Sequence, residues 1–139
     1  MRTFLEYYQR KIQPQIETID LFLKTEDPPY NVDAVAEVLE LSSQGMEQLL
    51  AEEKVFLITK GVFFRLMQRG TSPLCGMFRR AMACNLPERY KPEEVAYIFG
   101  LPLEDVVQAA EKAGVTSYTD ETLPRLFSEI MIDETRYQK

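Results

Sequence analysis

The basic side chains between residues 54 and 91 have the types and spacing to bind phosphate groups. That stretch carries eight basic residues and one acidic residue, while residues 1–53 carry four basic and eleven acidic, and residues 92–139 carry four and ten. If folding gathers the basic residues on one face, about seven phosphate contacts would give binding that weakens steeply with salt. The block begins at Lys54, and its candidate phosphate ligands are Lys60, Arg65, Arg69, Arg79, Arg80, Arg89 and Lys91.

The same basic block has a second interpretation, because its charges also balance the acidic ends of the chain, either within the fold or across a dimer. The whole chain has a net charge of −6, which argues against a protein that coats nucleic acid without discrimination. Phe63, Phe64 and Phe78, which are interleaved with the block, are expected in the core, since aromatic residues at helical spacing are usually buried.

The residues that most enzymatic chemistry requires are missing from the sequence. It contains no histidine, the commonest general base, and it has no glycine-rich phosphate loop, nucleophile elbow or metal-ligand cluster. Cys75 and Cys84 are predicted to lie on opposite faces of one helix, about 13 Å apart along its axis, which is too far for a disulfide bond. We therefore expect a protein that is not an enzyme and needs no metal and no cofactor.

An internal repeat appears when residues 30–67 are aligned with residues 90–127, an offset of 60 residues. Self-similarity at a fixed spacing indicates two copies of one supersecondary unit. The identical pairs are Tyr30 and Tyr90, Val35 and Val95, Ala36 and Ala96, Leu41 and Leu101, Gln48 and Gln108, Val55 and Val115, Thr59 and Thr119, Arg65 and Arg125, and Leu66 and Leu126.

Each copy begins with the signals for two short helices joined by a tight turn. Asn31 is a cap for the first helix of the first copy, and Pro92 takes the first helical position in the second copy. The second helices are expected over residues 43–53 and 103–113, and Gly114 is placed to end the latter as a C-cap.

A third helix is expected in each copy, after a short β-like piece. These pieces cover residues 55–59 and 115–118. Because a proline is tolerated only in the first turn of a helix, Pro124 predicts that the last helix begins near residue 121.

The N-terminal segment has an apolar face with helical spacing. Pro14 interrupts it, so either one helix kinks there or a second helix begins at Gln13. The face either covers the repeats or pairs with a second chain. Its members are Leu5, Tyr8, Ile12, Ile16, Ile19 and Leu23.

Residues 30–42 and 90–102 resemble the opening of excisionase-type and MerR-type helix-turn-helix domains, with Gly100 at the turn glycine of those families. The resemblance implies a β-hairpin wing, whose start is similar to the two β-like pieces. It also implies that the second helix reads base edges, through Ser43, Gln44, Glu47 and Gln48 in the first copy and Leu103, Glu104, Asp105 and Gln108 in the second. Glu40 replaces the turn glycine in the first copy, which is therefore expected to turn differently, since a non-glycine residue there costs ~1–2 kcal/mol.

Together these features predict a mainly α fold with two helix-turn-helix-like, tri-helical repeats, short β pieces, and an N-terminal helix or kinked helical pair. A helix that begins at Ser72 and Pro73 is expected to connect the repeats. The expected segments are 1–27 for the N-terminal helices, 30–70 and 90–132 for the repeats, 71–89 for the connecting helix, and 133–139 for a polar tail.

The leading hypothesis for function is a DNA-associated regulator of bacterial or phage type, in which the basic block holds phosphates while Ser43, Gln44 and Gln48 approach the groove. The alternative is a protein-interaction adaptor whose helix-turn-helix units no longer bind DNA. A structural subunit or homodimer that assembles through the N-terminal helix overlaps both. No stretch has the ~18 uncharged apolar residues of a membrane span, and no signal peptide is apparent, so we expect no membrane contact and a cytoplasmic location.

Overall fold

A computed structural model describes residues 2–133, and that part of the chain is mainly helical with short antiparallel strands, which confirms the predicted fold class. A π-helical turn, Tyr8–Ile12, lies between the first two helices. The helices are α1 (Phe4–Tyr7), α2 (Gln13–Thr25), α3 (Val32–Val38), α4 (Ser43–Glu52), α5 (Lys60–Arg69), α6 (Pro73–Ala83), α7 (Pro92–Phe99), α8 (Leu103–Ala113) and α9 (Leu123–Phe127). The strands are β1 (Arg2–Thr3), β2 (Arg89–Tyr90), β3 (Tyr118–Thr119) and β4 (Met131–Ile132).

The described chain forms two compact units. The first unit is Gln13–Arg79 and holds the first repeat, while the second unit combines residues 2–12 with residues 80–133 and holds the second repeat. The N-terminal segment therefore contributes to both units. The polar tail expected over residues 133–139 lies outside the described residues, apart from Asp133.

The predicted caps of the first unit are present. Asn31 accepts a hydrogen bond from the Ala34 N–H at 3.0 Å and so begins α3. Ser72 accepts one from the Cys75 N–H at 3.2 Å, directly before α6. Each cap satisfies a donor that has no partner inside the first turn of its helix.

The tight turn between the first two helices is the same in both repeats, so the expectation of a different turn in the first copy was wrong. Glu40 adopts a left-handed φ of 57°, close to the 67° of Gly100. The following N–H donates to the equivalent carbonyl in each copy, from Leu41 to Ala36 at 2.8 Å and from Leu101 to Ala96 at 2.9 Å. The first repeat accepts the strain of a left-handed glutamate to keep this geometry.

The β-like pieces pair with the first residue of each repeat and do not extend into a hairpin. Ile58 forms an antiparallel bridge with Tyr30, and Tyr118 pairs with Tyr90, so both pairs obey the 60-residue offset. The chain then enters α5 or α9. A third helix therefore follows where the resemblance implied a wing. Pro124 lies in the first turn of α9, as predicted, although that helix begins two residues later than residue 121.

The buried stripe of the N-terminal segment differs from the predicted one. Phe4 and Tyr7 are buried where Leu5 and Tyr8 were predicted, and the π-helical turn explains this shift, because it adds a residue to one turn and so rotates the residues before it relative to α2. Ile16, which follows the turn, is exposed. α2 begins at Gln13, as one of the two alternatives for Pro14 predicted. The buried residues are Phe4, Tyr7, Ile12, Gln15, Ile19 and Phe22.

Aromatic rings from the N-terminal segment complete the core of each unit. In the first unit, the Phe22 ring lies 5.0 Å from Tyr30 and 5.7 Å from Phe63, measured between centroids. In the second unit, Phe4 meets Phe127 edge-on at 4.7 Å. The N-terminal segment therefore covers the repeats, as the first of the two predicted uses of its apolar face required, but partly through residues outside the predicted face.

The second unit is closed by a pairing of its two ends. Strands β1 and β4 are antiparallel, with Arg2 opposite Ile132 and Thr3 opposite Met131. The Phe4 N–H extends this ladder by donating to the Ile130 carbonyl at 2.7 Å. The residues that begin the described chain are thus fixed against those that end it.

Candidate functional site

The three residues expected to read bases in the first repeat are exposed on α4. Ser43 and Gln44 lie in its first turn, after the N-cap Ser42. Gln48 is one turn further along, where its side-chain amide donates to Glu52 at 3.1 Å. Glu47 is exposed between them and α4 itself has no basic residue, so a phosphate backbone lying along this helix would face a carboxylate.

Three of the expected phosphate ligands have partners within their own unit. Arg69 makes an ion pair with Glu52 at 2.7 Å and reaches Glu53 at 3.5 Å. Arg79 donates to the Gln68 carbonyl at 2.8 Å, next to the end of α5, and Arg80 donates to the carbonyl of Ile98 at 2.9 Å, near the end of α7. Cations in these places neutralise carboxylates or the negative ends of helices.

The remaining expected phosphate ligands are exposed and belong to different units. Lys60 and Arg65 lie on α5 in the first unit, while Arg89 and Lys91 flank β2 in the second. The backbone N–H of Lys91 donates to the Glu94 carboxylate at 2.8 Å, which places an acidic group beside that lysine. The sequence block is therefore divided between the units and partly used inside them.

The outward face of α8 carries exposed apolar side chains beside carboxylates. Leu103 and Val107 are one turn apart and are 43% and 39% exposed. Glu104 and Glu111 are exposed on the same side of the helix, and we refer to these four residues as the α8 face. Sequence analysis assigned Leu103 and Glu104 to the outward surface, as potential base readers, but did not single out Val107.

The equivalent positions of the first repeat are polar or small. At the 60-residue offset, Leu103 corresponds to Ser43, Glu104 to Gln44, Val107 to Glu47 and Glu111 to Ala51. Exposed large apolar residues on the α8 face are therefore not required by the shared backbone.

A second exposed apolar group lies on the loop of residues 54–60 in the first repeat, which we call the Phe56 loop. Phe56 is 98% exposed and Leu57 is 64% exposed, while Lys54 and Lys60 are exposed at the two ends of the loop. Ile58 is buried and holds the loop to Tyr30, whose N–H donates to the Ile58 carbonyl at 2.8 Å.

Sequence analysis treated this loop as a β-like piece and did not identify its tip as a surface feature. One available signal was the repeat itself, since the second copy has Thr116 and Ser117 in place of Phe56 and Leu57. An apolar pair that the other copy replaces with hydroxyl side chains is not needed to build the unit.

Two equivalent clefts lie beside the second helices. The cleft in the first unit has a volume of about 250 Å³ and is lined by Gln48, Glu52 and Arg69, among others. The cleft in the second unit, of about 200 Å³, is lined by the corresponding residues Gln108, Lys112 and Glu129. Both clefts contain the glutamine, but the acidic Glu52 corresponds to the basic Lys112, and the basic Arg69 corresponds to the acidic Glu129. Both volumes fall below the roughly 300–1,000 Å³ of typical small-molecule pockets.

The chemistry available to the described residues is limited. Within residues 2–133 there is no group of three or more His, Cys, Asp or Glu side chains that could hold a metal ion. Cys75 is buried, and burial raises the pKa of its thiol, which disfavours the nucleophilic thiolate. The Tyr90 hydroxyl donates to Asp120 at 2.7 Å. Burial and this hydrogen bond raise the Tyr90 pKa, so that tyrosine stays protonated.

No helix among residues 2–133 is long and apolar enough to cross a membrane. Comparison of the chain with protein-family models, with curated proteins and with solved structures found no match.

Proposed function

We propose that this protein is a non-enzymatic, cytoplasmic protein-interaction adaptor, and that the α8 face is its docking surface. The observation that carries the proposal is the exposure of Leu103 and Val107 where the first repeat has Ser43 and Glu47. Exposed apolar residues rimmed by charge are typical of protein-binding surfaces.

The chemistry of the α8 face defines the class of partner. Glu104 and Glu111 favour a positively charged surface and repel the phosphate backbone of nucleic acid. Leu103 and Val107 need apolar side chains opposite them to exclude water. The partner is therefore a basic protein segment with apolar side chains, such as one face of an amphipathic helix.

The interactions of the basic residues favour the adaptor over a DNA-associated regulator. Arg69, Arg79 and Arg80 each bind groups of their own unit. A DNA-bound state would have to compete with these contacts and place Glu47 near phosphate. Apart from the α8 face, the absence of basic residues on α4 is what most weakens the DNA hypothesis.

A labelled amphipathic peptide of leucine and lysine tests the docking proposal by fluorescence anisotropy. We expect binding with a Kd on the order of 10–100 µM, weaker at high salt, and lost in Leu103→Ser/Val107→Glu, which installs the residues of the first repeat. The matched control Ile16→Ser/Leu21→Ser removes exposed apolar residues from α2 and should bind normally. Equal binding by the α8 variant, or by a leucine and glutamate peptide, would remove the basis of the proposal.

DNA association through the first repeat is the second candidate, favoured by the exposure of Ser43 and Gln44 in the same unit as Lys60 and Arg65. It predicts that a labelled random-sequence duplex binds at about 50 mM salt, is released at about 200 mM, and binds less tightly to Lys60→Glu/Arg65→Glu. No binding at low salt would leave the adaptor as the remaining candidate.

A further inference from the structure

We propose that the α8 face binds a second copy of this chain, which presents its Phe56 loop as the basic, apolar segment. This inference rests on the proposed function, because it names the partner of the same docking surface. It is carried by the complementary chemistry of two surfaces that belong to different repeats.

The Phe56 loop and the α8 face match in charge. The loop has Lys54 and Lys60 on either side of its apolar tip, while the face has Glu104 and Glu111 beside its apolar pair. These opposite charges would orient the two surfaces as they meet and speed their encounter.

The two surfaces also match in scale. Leu103 and Val107 are separated by one helical turn, about 6 Å along the axis of α8, and Glu104 and Glu111 by about 10 Å. Phe56 and Leu57 are adjacent, with Cα atoms about 3.8 Å apart. Two neighbouring apolar side chains of the loop are therefore close enough together to lie against the apolar pair of the face.

Each repeat supplies one of the two surfaces and lacks the other. The first repeat has the apolar loop but places Ser43 and Glu47 on its second helix, and the second repeat has the apolar helix face but places Thr116 and Ser117 in its loop. Two identical loops, or two identical faces, would bring like charges together. The contact is therefore heterologous, loop to face, and not a symmetric pairing of one patch with itself.

The contact is small, so we expect weak self-association. Two apolar side chains on each side bury far less than the about 1,200 Å² at the lower end of stable complexes. Self-association should appear at concentrations on the order of 100 µM and weaken with added salt.

Sedimentation equilibrium of the full chain, from about 10 µM to about 1 mM, tests the contact. The average mass of the wild type should rise with concentration. Phe56→Thr/Leu57→Ser and Leu103→Ser/Val107→Glu, which install the residues of the opposite repeat, should each remain monomeric. Ile16→Ser/Leu21→Ser should associate like the wild type, and circular dichroism should show that all four proteins are folded.

A mixture of the two monomeric variants gives the decisive result. One variant retains an intact face and the other an intact loop, so a heterologous contact predicts that mixing them restores association, with a mass limited to a dimer. Association of the wild type without restoration in the mixture would overturn the loop-to-face contact. A wild type that stays monomeric at about 1 mM would also overturn it. In that case, binding of the leucine and lysine peptide would still support the proposed docking function. Absence of peptide binding would contradict both the self-association and the docking function.

Discussion

The two repeats share their first two helices and the turn between them, but their outward side chains are very different. Their tight turns use equivalent hydrogen bonds, from Leu41 to Ala36 and from Leu101 to Ala96. Their second helices also end alike, with the Val55 N–H donating to the Leu50 carbonyl and the Val115 N–H to Ala110. The turns and helix ends are the same in both repeats because a few buried residues and backbone hydrogen bonds hold them in place.

The exposed side chains can differ between the repeats, because the shared turns and helices do not depend on them. The first repeat is apolar at its loop, and the second repeat is apolar on its second helix. The clefts repeat this contrast, since Glu52 and Arg69 are replaced by Lys112 and Glu129. Two copies of one fold thus present different surfaces, as expected when function lies in surface residues and not in the fold itself.

The largest expected effect tests whether both repeats depend on the same core position. Leu66 and Leu126 are fully buried and occupy equivalent sites. Leu66→Ala and Leu126→Ala should each lower the free energy of unfolding by about 2–5 kcal/mol, from lost burial and the cavity that remains. Urea titration followed by circular dichroism measures both, and a loss below about 1 kcal/mol at one site would show that the copies no longer share this packing.

Alkaline pH should destabilise the second unit more than the first. The second unit contains tyrosines whose pKa is raised above the ordinary 10.0, chiefly by burial. They are Tyr7, Tyr8, Tyr90 and Tyr118. The unfolded chain releases these protons at a lower pH than the folded chain, so their contribution to stability is full below pH 10 and falls as pH rises.

Methyl NMR signals of Val35 and Val95, one buried in each unit, measure this difference. The Val95 signals should lose their native positions first as pH is raised, and Tyr90→Phe should reduce that sensitivity. Simultaneous loss of both signals at every pH would contradict a difference between the units.

A smaller effect is expected where the repeats differ in how they end the second helix. Lys54 has a φ of 55° and Gly114 a φ of 67° at equivalent positions. Lys54→Gly should stabilise the protein by about 0.5–1 kcal/mol, and Gly114→Lys should destabilise it by about 1–2 kcal/mol through backbone strain. No atom lies within 4 Å of a Cβ added at Gly114, so a larger loss in thermal unfolding would mean that strain is not the cause.

The smallest effect concerns the exchanged charges of the clefts. Arg69→Glu removes the ion pair with Glu52, which is exposed, so the loss of stability should be about 0.2–1 kcal/mol. Adding Glu52→Lys gives the arrangement of the second repeat and should restore most of that loss. Urea titration of the single and double variants measures the coupling, and its absence would mean that the pair is not part of the stability of α4.

The sequence predicted those features that depend on short-range chemistry. The caps at Asn31 and Ser72 follow from side-chain oxygens that satisfy nearby N–H groups. The 60-residue repeat predicted that both copies have the same helices, and Pro124 predicted the start of the last one closely. None of these features requires knowledge of distant contacts.

The features that were missed are not visible in local sequence rules. The turn at Glu40 was misjudged because this glutamate adopts a left-handed φ in spite of the strain. Periodicity alone put Leu5 and Tyr8 on the buried face in place of Phe4 and Tyr7, since one π-helical turn is invisible in an apolar pattern. The local pattern alone did not distinguish the exposed tip at Phe56 and Leu57 from a buried strand, because both are short apolar runs, and only the comparison with the second repeat could have done so.

The pairing of β1 with β4 imposes an order on the assembly of the chain. Phe4 belongs to the core of the second unit, yet its partner Phe127 is synthesised more than a hundred residues later. Phe4 also contacts the ring of Phe99, which is likewise distant in sequence, whereas Phe22 finds Tyr30 and Phe63 within the next few dozen residues. The core of the first unit therefore forms from neighbouring segments, while that of the second joins residues 2–12 to residues 80–133 and should fold more slowly, as long loop closures do.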